Sequence, residues 1–234
     1  MNKTEVLKRI RETGLIPVVR ADSSDQALQA VAALMAGGLD VLEVTMTVPG
    51  AIEVIRVLSN EYGADALIGA GTVLDPEKAQ ACIQAGAQFI VSPALNEETI
   101  AFCAEQDVVI FPGALTPTEV VTAWQAGADA VKIFPCGAVG GAKYLASLKA
   151  PLPQIEMIPT GGVSLTTAAS FIAAGALALG VGADLVDLAA IRSGEPERVT
   201  QSARAYIAAV RDARQSLSPA EFLVTGSGRG PVQG

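Results

Sequence analysis

Lys132 lies in the run Ala130-Val131-Lys132-Ile133-Phe134-Pro135, which is apolar, β-prone and closed by a proline. Lysine is among the residues least often fully buried, because stripping water from an ammonium costs free energy. A lysine held there is pressed toward the neutral amine, a nucleophile for carbonyl carbon. The alternative is a lysine with a covered stem, its head snorkelling into water at a strand edge. Glu43 poses the matching question in Val41-Leu42-Glu43-Val44-Thr45. By alternation Glu43 and Thr45 share a face with Val41. A carboxylate there is costly unless it is paired or used. It could form a structural ion pair with Lys132. It could also act as a general acid/base, its pKa raised by burial and restrained by the lysine. An amine and a carboxylate on opposite walls are the minimum for imine chemistry. The amine attacks a ketone, and the carboxylate shuttles protons on the carbinolamine and the enamine.

A second group of residues suits an anion. Thr160-Gly161-Gly162-Val163-Ser164 follows one β-prone run and precedes a helical pattern. Glycines there expose backbone N–H groups at a helix N-terminus, where anions bind. Gly180-Val181-Gly182 supplies a second half. The plainer reading is a tight turn. Arg20 ends another run and could take a carboxylate through its fork. A surface arginine is the alternative. Thr72, after Gly69-Ala70-Gly71, offers a hydroxyl and an N–H. Phe134 and Pro135 read as walls. Cys136 is adjacent, but no histidine exists to activate it.

The elements that must position these groups recur regularly. Eight β-rich runs occur at 16–19, 41–45, 67–70, 89–92, 108–111, 130–134, 157–159 and 178–181. Helical patterns fall near 24–36, 50–62, 76–85, 97–106, 117–126, 140–148, 165–174 and 183–192, with another at 196–215. Ala36-Gly37, Ala85-Gly86, Ala126-Gly127 and Ala174-Gly175 each mark a helix end shortly before a strand. Eight strand-then-helix units predict a single (β/α)8 TIM barrel over residues 1–215. An extra helix at 3–13 would cap its N-terminal end. The Gly-rich tail, 216–234, is expected to be mobile. In such barrels the active site lies at the C-terminal strand ends, where all the residues above fall.

Composition narrows the function further. The 234 residues are 50% hydrophobic but 4% aromatic, which suits a parallel sheet buried on both faces. Only 17% are charged, which points to self-association. A net charge of −8 argues against nucleic acid or an anionic membrane as partner. The chain contains no histidine, which excludes Ser-His-Asp triads, histidine bases and histidine-ligated metals. Cys82, Cys103 and Cys136 lack metal spacing and are odd in number, as suits a reducing cytoplasm. No signal peptide is expected, because Met1-Asn2-Lys3-Thr4-Glu5 runs straight into a charged amphipathic pattern. The longest apolar stretch, 171–183, is too short to span a bilayer.

Six motifs occur in a fixed order: Leu42-Glu43-Val44-Thr45-Met46-Thr47, Gly69-Ala70-Gly71-Thr72-Val73, Phe89-Ile90-Val91-Ser92-Pro93, Phe111-Pro112-Gly113, Lys132-Ile133-Phe134-Pro135 and Pro159-Thr160-Gly161-Gly162-Val163. Together they resemble the class I 2-keto-3-deoxy-6-phosphogluconate (KDPG) / 4-hydroxy-2-oxoglutarate (KHG) aldolases, from about Gly14 to Arg214. The resemblance implies Lys132 as the Schiff-base lysine and Glu43 as the general acid/base. It implies that Thr72 and Pro93 line the pyruvate pocket, with Arg20 near the carboxylate; Phe134 stands beside them as a wall that substrate would touch. Thr160, Gly161, Gly162 and Gly182 would receive the phosphate. It further implies a keto acid substrate, no metal or other cofactor, and a homotrimer.

Two positions depart from the family pattern. Some members carry arginine four residues after the catalytic glutamate to grip the pyruvate carboxylate; here it is Thr47, and Arg20 would compensate. Some carry serine after the last glycine; here Gly182 is followed by Ala183-Asp184, which keeps shorter substrates such as 4-hydroxy-2-oxoglutarate open. A phosphate-binding isomerase or epimerase, or a non-catalytic binding module, are the other classes that the glycine-rich site allows.

Overall fold

The computed structural model describes residues 1–63 and 65–217. The tail expected to be mobile falls outside them from residue 218 onward. Helix α1 (Lys3–Thr13) leads into β1 (Leu15–Val19), and strands then alternate with helices: α2 (Ser24–Ala36), β2 (Val41–Thr45), α3 (Ala51–Tyr62), β3 (Leu67–Gly71), α4 (Pro76–Gln84), β4 (Phe89–Val91), α5 (Glu97–Glu105). After β5 (Val109–Phe111) and β6 (Gly113–Ala114) come α6 (Pro117–Gln125), β7 (Val131–Ile133), a short 3-10 turn (Cys136–Val139) and α7 (Ala142–Lys149). The series ends with β8 (Met157–Pro159), α8 (Leu165–Ala173), β9 (Leu179–Val181), α9 (Leu188–Arg192) and α10 (Pro196–Gln215).

Helix starts follow local chemistry. The Asp75 side chain accepts from the Lys78 N–H ahead of Pro76, and Thr116 with Glu119 forms a capping box ahead of Pro117. Two helices differ from expectation. The pattern at 140–148 is broken because Gly140 and Gly141 take positive φ, so a 3-10 turn precedes a helix that starts at Ala142. Only Leu188–Arg192 of 183–192 is helical, begun by an Asp187 cap.

The expected closed eight-stranded barrel does not form. The strands divide into a six-stranded parallel sheet, ordered β5-β4-β3-β2-β1-β9, and a three-stranded one, β6-β7-β8. Pro112 explains one break. Proline has no N–H to give a ladder, so the anticipated strand ends as β5, and an unanticipated one, β6, follows it into the other sheet. At the other break only an isolated bridge, Thr160 to Gly180, links the end of β8 to β9. There the chain leaves the ladder through Gly161 and Gly162, with φ of 82° and 78°. Both sheets nevertheless enclose one apolar interior. Val41, Leu67, Phe89 and Val109 meet Ala130 and Ile158 at the N-terminal strand ends, and α1 closes this floor with Val6 and Ile10.

Candidate active site

Lys132 sits in the middle strand of the small sheet and Glu43 in β2 of the large one. Each is held by ladder pairing on both sides: Lys132 registers with Gly113 and Ile158, Glu43 with Val18 and Gly69. Both are buried, at 3% and 2% exposure. They are close enough for the lysine charge to act on the carboxylate. Burial pushes the Glu43 carboxyl above its ordinary range; Lys132, and then Arg20, pull it back only in part. Glu43 Oε1 is buried with no hydrogen-bond partner. An orphan carboxylate oxygen inside a protein is costly, and its place is explained by a proton, water or substrate hydroxyl that it must meet.

Neighbouring residues shape this pair. The Phe134 ring centroid lies 5.3 Å from Lys132 Nζ, so its face fronts the amine. Thr72, next after β3, has φ of 61°, a left-handed conformation rare for a β-branched residue. Such strain persists only where the surroundings impose it, typically at functional sites. Pro93 is half-buried, and its carbonyl group abuts the Cα of Gly113, which registers with Lys132. Cys136 is buried and its thiol is pushed up to about 11 by desolvation, so it is no nucleophile at neutral pH.

A cleft of about 370 Å³ opens beside the pair, lined by Arg20, Phe134, Thr160, Gly161, Gly162 and Gly182, with Val18, Val163, Ser164, Gly180, Ala183 and Asp184 completing it. Six residues expected to bind substrate thus meet in one place. Thr47, Thr72 and Pro93 do not line it. Asp184, the acid that stood against an anion site, is already engaged. It accepts from the Tyr206 hydroxyl and, at 3.3 Å, from the Leu165 N–H at the start of α8. Nothing near Asp184 in sequence announces Tyr206. Gly71, whose motif the sequence marks only for Thr72, is where the Glu43 carboxylate packs directly. The signal is a glycine at the C-terminal end of β3, paired with Thr45 two residues beyond the acidic position of β2.

The fold and the buried lysine–glutamate pair are those of an aldolase family. The family model for KDPG and KHG aldolase matches residues 6–202, and the chain belongs to that family. It is 39% identical over 203 residues to the 2-dehydro-3-deoxy-6-phosphogalactonate aldolase of Escherichia coli, covering 86% of this chain and 96% of that protein. Among solved structures it is similar to the Legionella pneumophila KDPG aldolase, in which pyruvate was captured at low pH as a covalent carbinolamine. There the TM-score is 0.80 and the identity 29%, over 88% of this chain and 98% of that one. It is also similar to a chain of a cube-shaped protein cage designed by fusing symmetric oligomeric domains, at TM-score 0.80 and 38% identity, over 87% of this chain and 74% of that one.

Proposed function

We propose that this chain is a Schiff-base aldolase, with one catalytic domain over residues 1–215. It would cleave 2-keto-3-deoxy-6-phosphogluconate reversibly to pyruvate and glyceraldehyde 3-phosphate. The observation that carries the reading is the buried Lys132–Glu43 pair, contributed by two sheets to one interior, with Glu43 Oε1 unpartnered. Lys132 Nζ attacks carbon 2 of the keto acid, and water leaves to give a protonated imine. Glu43, through a water, takes the carbon 4 hydroxyl proton. The bond between carbons 3 and 4 breaks, its electron pair passes into the imine, and the aldehyde departs. Glu43 then returns the proton to carbon 3 of the enamine, and hydrolysis releases pyruvate. The imine is the electron sink, so the reaction requires no metal.

Thr72, Pro93 and Phe134 are assigned to the pyruvate half, and Thr160, Gly161, Gly162 and Gly182 to the phosphate, with Arg20 between the two. The neighbouring Arg20 charge and the glycine N–H groups support an anion in the cleft. Asp184 in the same cleft supports keeping 4-hydroxy-2-oxoglutarate, which yields pyruvate and glyoxylate, as a second substrate. A homotrimer in the cytoplasm is part of the reading. The exposed apolar side chains Val57, Leu74, Val139 and Leu165 support self-association, and the unpaired cysteines support a reducing compartment.

The test is pyruvate release, followed by coupled reduction with NADH, from the gluconate and galactonate forms of the phosphorylated keto acid and from 4-hydroxy-2-oxoglutarate. Assays run with and without a chelator. Turnover of at least one substrate, undiminished by the chelator, is expected. No pyruvate from any of the three would overturn the proposal.

A further inference from the structure

Asp184 puts a carboxylate into the wall of the cleft that also holds Arg20, Gly161 and Gly162. A like charge there should repel an anion. Two donors meet that charge, and both act on one oxygen. The Tyr206 hydroxyl, from α10, and the Leu165 N–H, at the first residue of α8, each donate to Asp184 Oδ1, the second at 3.3 Å. The Leu165 amide is one of the unpaired N–H groups of a helix start, where negative charge is favoured. Tyr206 is fully buried. Burial, and then the carboxylate itself, push its phenol far above the ordinary range, so it remains a donor. Asp184 is exposed, and an exposed aspartate without such ties is free to change rotamer.

We propose that Tyr206 is a positioning residue that holds the Asp184 carboxylate against the start of α8, where the helix dipole offsets its charge and the cleft stays open to a phosphate. Tyr206 touches no substrate and acts through Asp184 alone. The inference rests on the phosphate assignment made above. Without the hydroxyl the ring still fills its place in the core, but one of the two ties is gone. The carboxylate then turns toward the cleft and opposes a phosphate dianion. It leaves an uncharged substrate end unaffected.

The experiment compares KM for 2-keto-3-deoxy-6-phosphogluconate with KM for the same keto acid lacking the phosphate. In Tyr206→Phe the preference for the phosphorylated form should fall about fivefold, the worth of one exposed charge against a dianion. Asp184→Asn alone should not lower that preference, and added to Tyr206→Phe it should restore it. Leu165→Pro removes the other tie from the opposite side. Proline suits the first helical position, and Ser164 before it is already extended, with φ −139° and ψ 169°. Its preference should also fall, and Asp184→Asn should again reverse the loss. An unchanged preference in a folded Tyr206→Phe protein overturns the proposal, as does a loss that Asp184→Asn does not reverse. If Tyr206→Phe does not fold, Leu165→Pro with and without Asp184→Asn decides. A wild type that shows no preference for the phosphorylated form would overturn the phosphate assignment and this proposal with it. Failure to trap pyruvate on Lys132 would speak against the aldolase reading instead.

Discussion

The Glu43 carboxylate lies against the Cα of Gly71, in the space that any side chain at 71 would need. Gly71 registers with Thr45 across the β2–β3 ladder, so the neighbouring strand sets how far Glu43 can reach. Gly71→Ala should displace the carboxylate while leaving the sheet intact. A misplacement of about 1 Å at a reacting group costs about a hundredfold in rate. A loss of kcat of that order, with the thermal midpoint shifted by only a few degrees, is the expected result. Wild-type kcat in this variant would show that the contact positions nothing.

Glu43 also makes stability depend on pH. Its pKa is raised in the folded protein, because burial outweighs Lys132 and Arg20. A group raised on folding contributes stability that is complete below its unfolded value, here 4.5, and is lost as pH rises through the folded value. Glu43→Gln removes that dependence. From pH 4 upward, the ligand-free wild type should therefore lose stability relative to Glu43→Gln, as followed by denaturant unfolding across pH. The same variant should lose about two to four orders of magnitude in turnover, the usual worth of a general base. A stability difference that stays flat with pH would contradict the buried, raised carboxyl.

Thr72 carries backbone strain at the end of β3. Its left-handed φ costs about 1–3 kcal/mol, against about 0.5–1 kcal/mol for the extra unfolded-state freedom of glycine. Thr72→Gly should thus unfold at the same temperature as the wild type or higher, while its KM for pyruvate rises. A clear fall in the thermal midpoint would mean that the side chain stabilises the fold more than its backbone strains it.

Arg20 lines the cleft with Gly161 and Gly162 and lies near enough to act on the Glu43 charge. Arg20→Gln should raise KM for a phosphorylated keto acid at least about tenfold, the worth of one charge-assisted hydrogen bond, with a smaller change in kcat. Steady-state kinetics at two ionic strengths checks this, since the wild-type KM should rise with salt and that of the variant should not. Equal salt dependence would remove Arg20 from the anion site.

Much of this was legible in the chain. The strand-then-helix repeat located every strand but β6, because apolar periodicity and glycine helix ends are local signals. Lys132 and Glu43 stood out because ionisable residues inside apolar strands are rare. Closure of the sheet was not legible. It turned on Pro112 and on the Gly161–Gly162 turn, which interrupt ladders between strands far apart in sequence. The same holds for Tyr206, which reaches Asp184 from a helix 22 residues away. The positive φ of Thr72 has no sequence signal either, since threonine gives no hint of a left-handed backbone.

A covalent bond between Lys132 and pyruvate is read out by intact-protein mass after borohydride reduction with pyruvate, followed by peptide mapping. One pyruvate adduct per chain is expected, located on Lys132 and absent in a folded Lys132→Met protein that has lost turnover. A folded wild-type protein with no adduct, or with its adduct on another lysine, would contradict it.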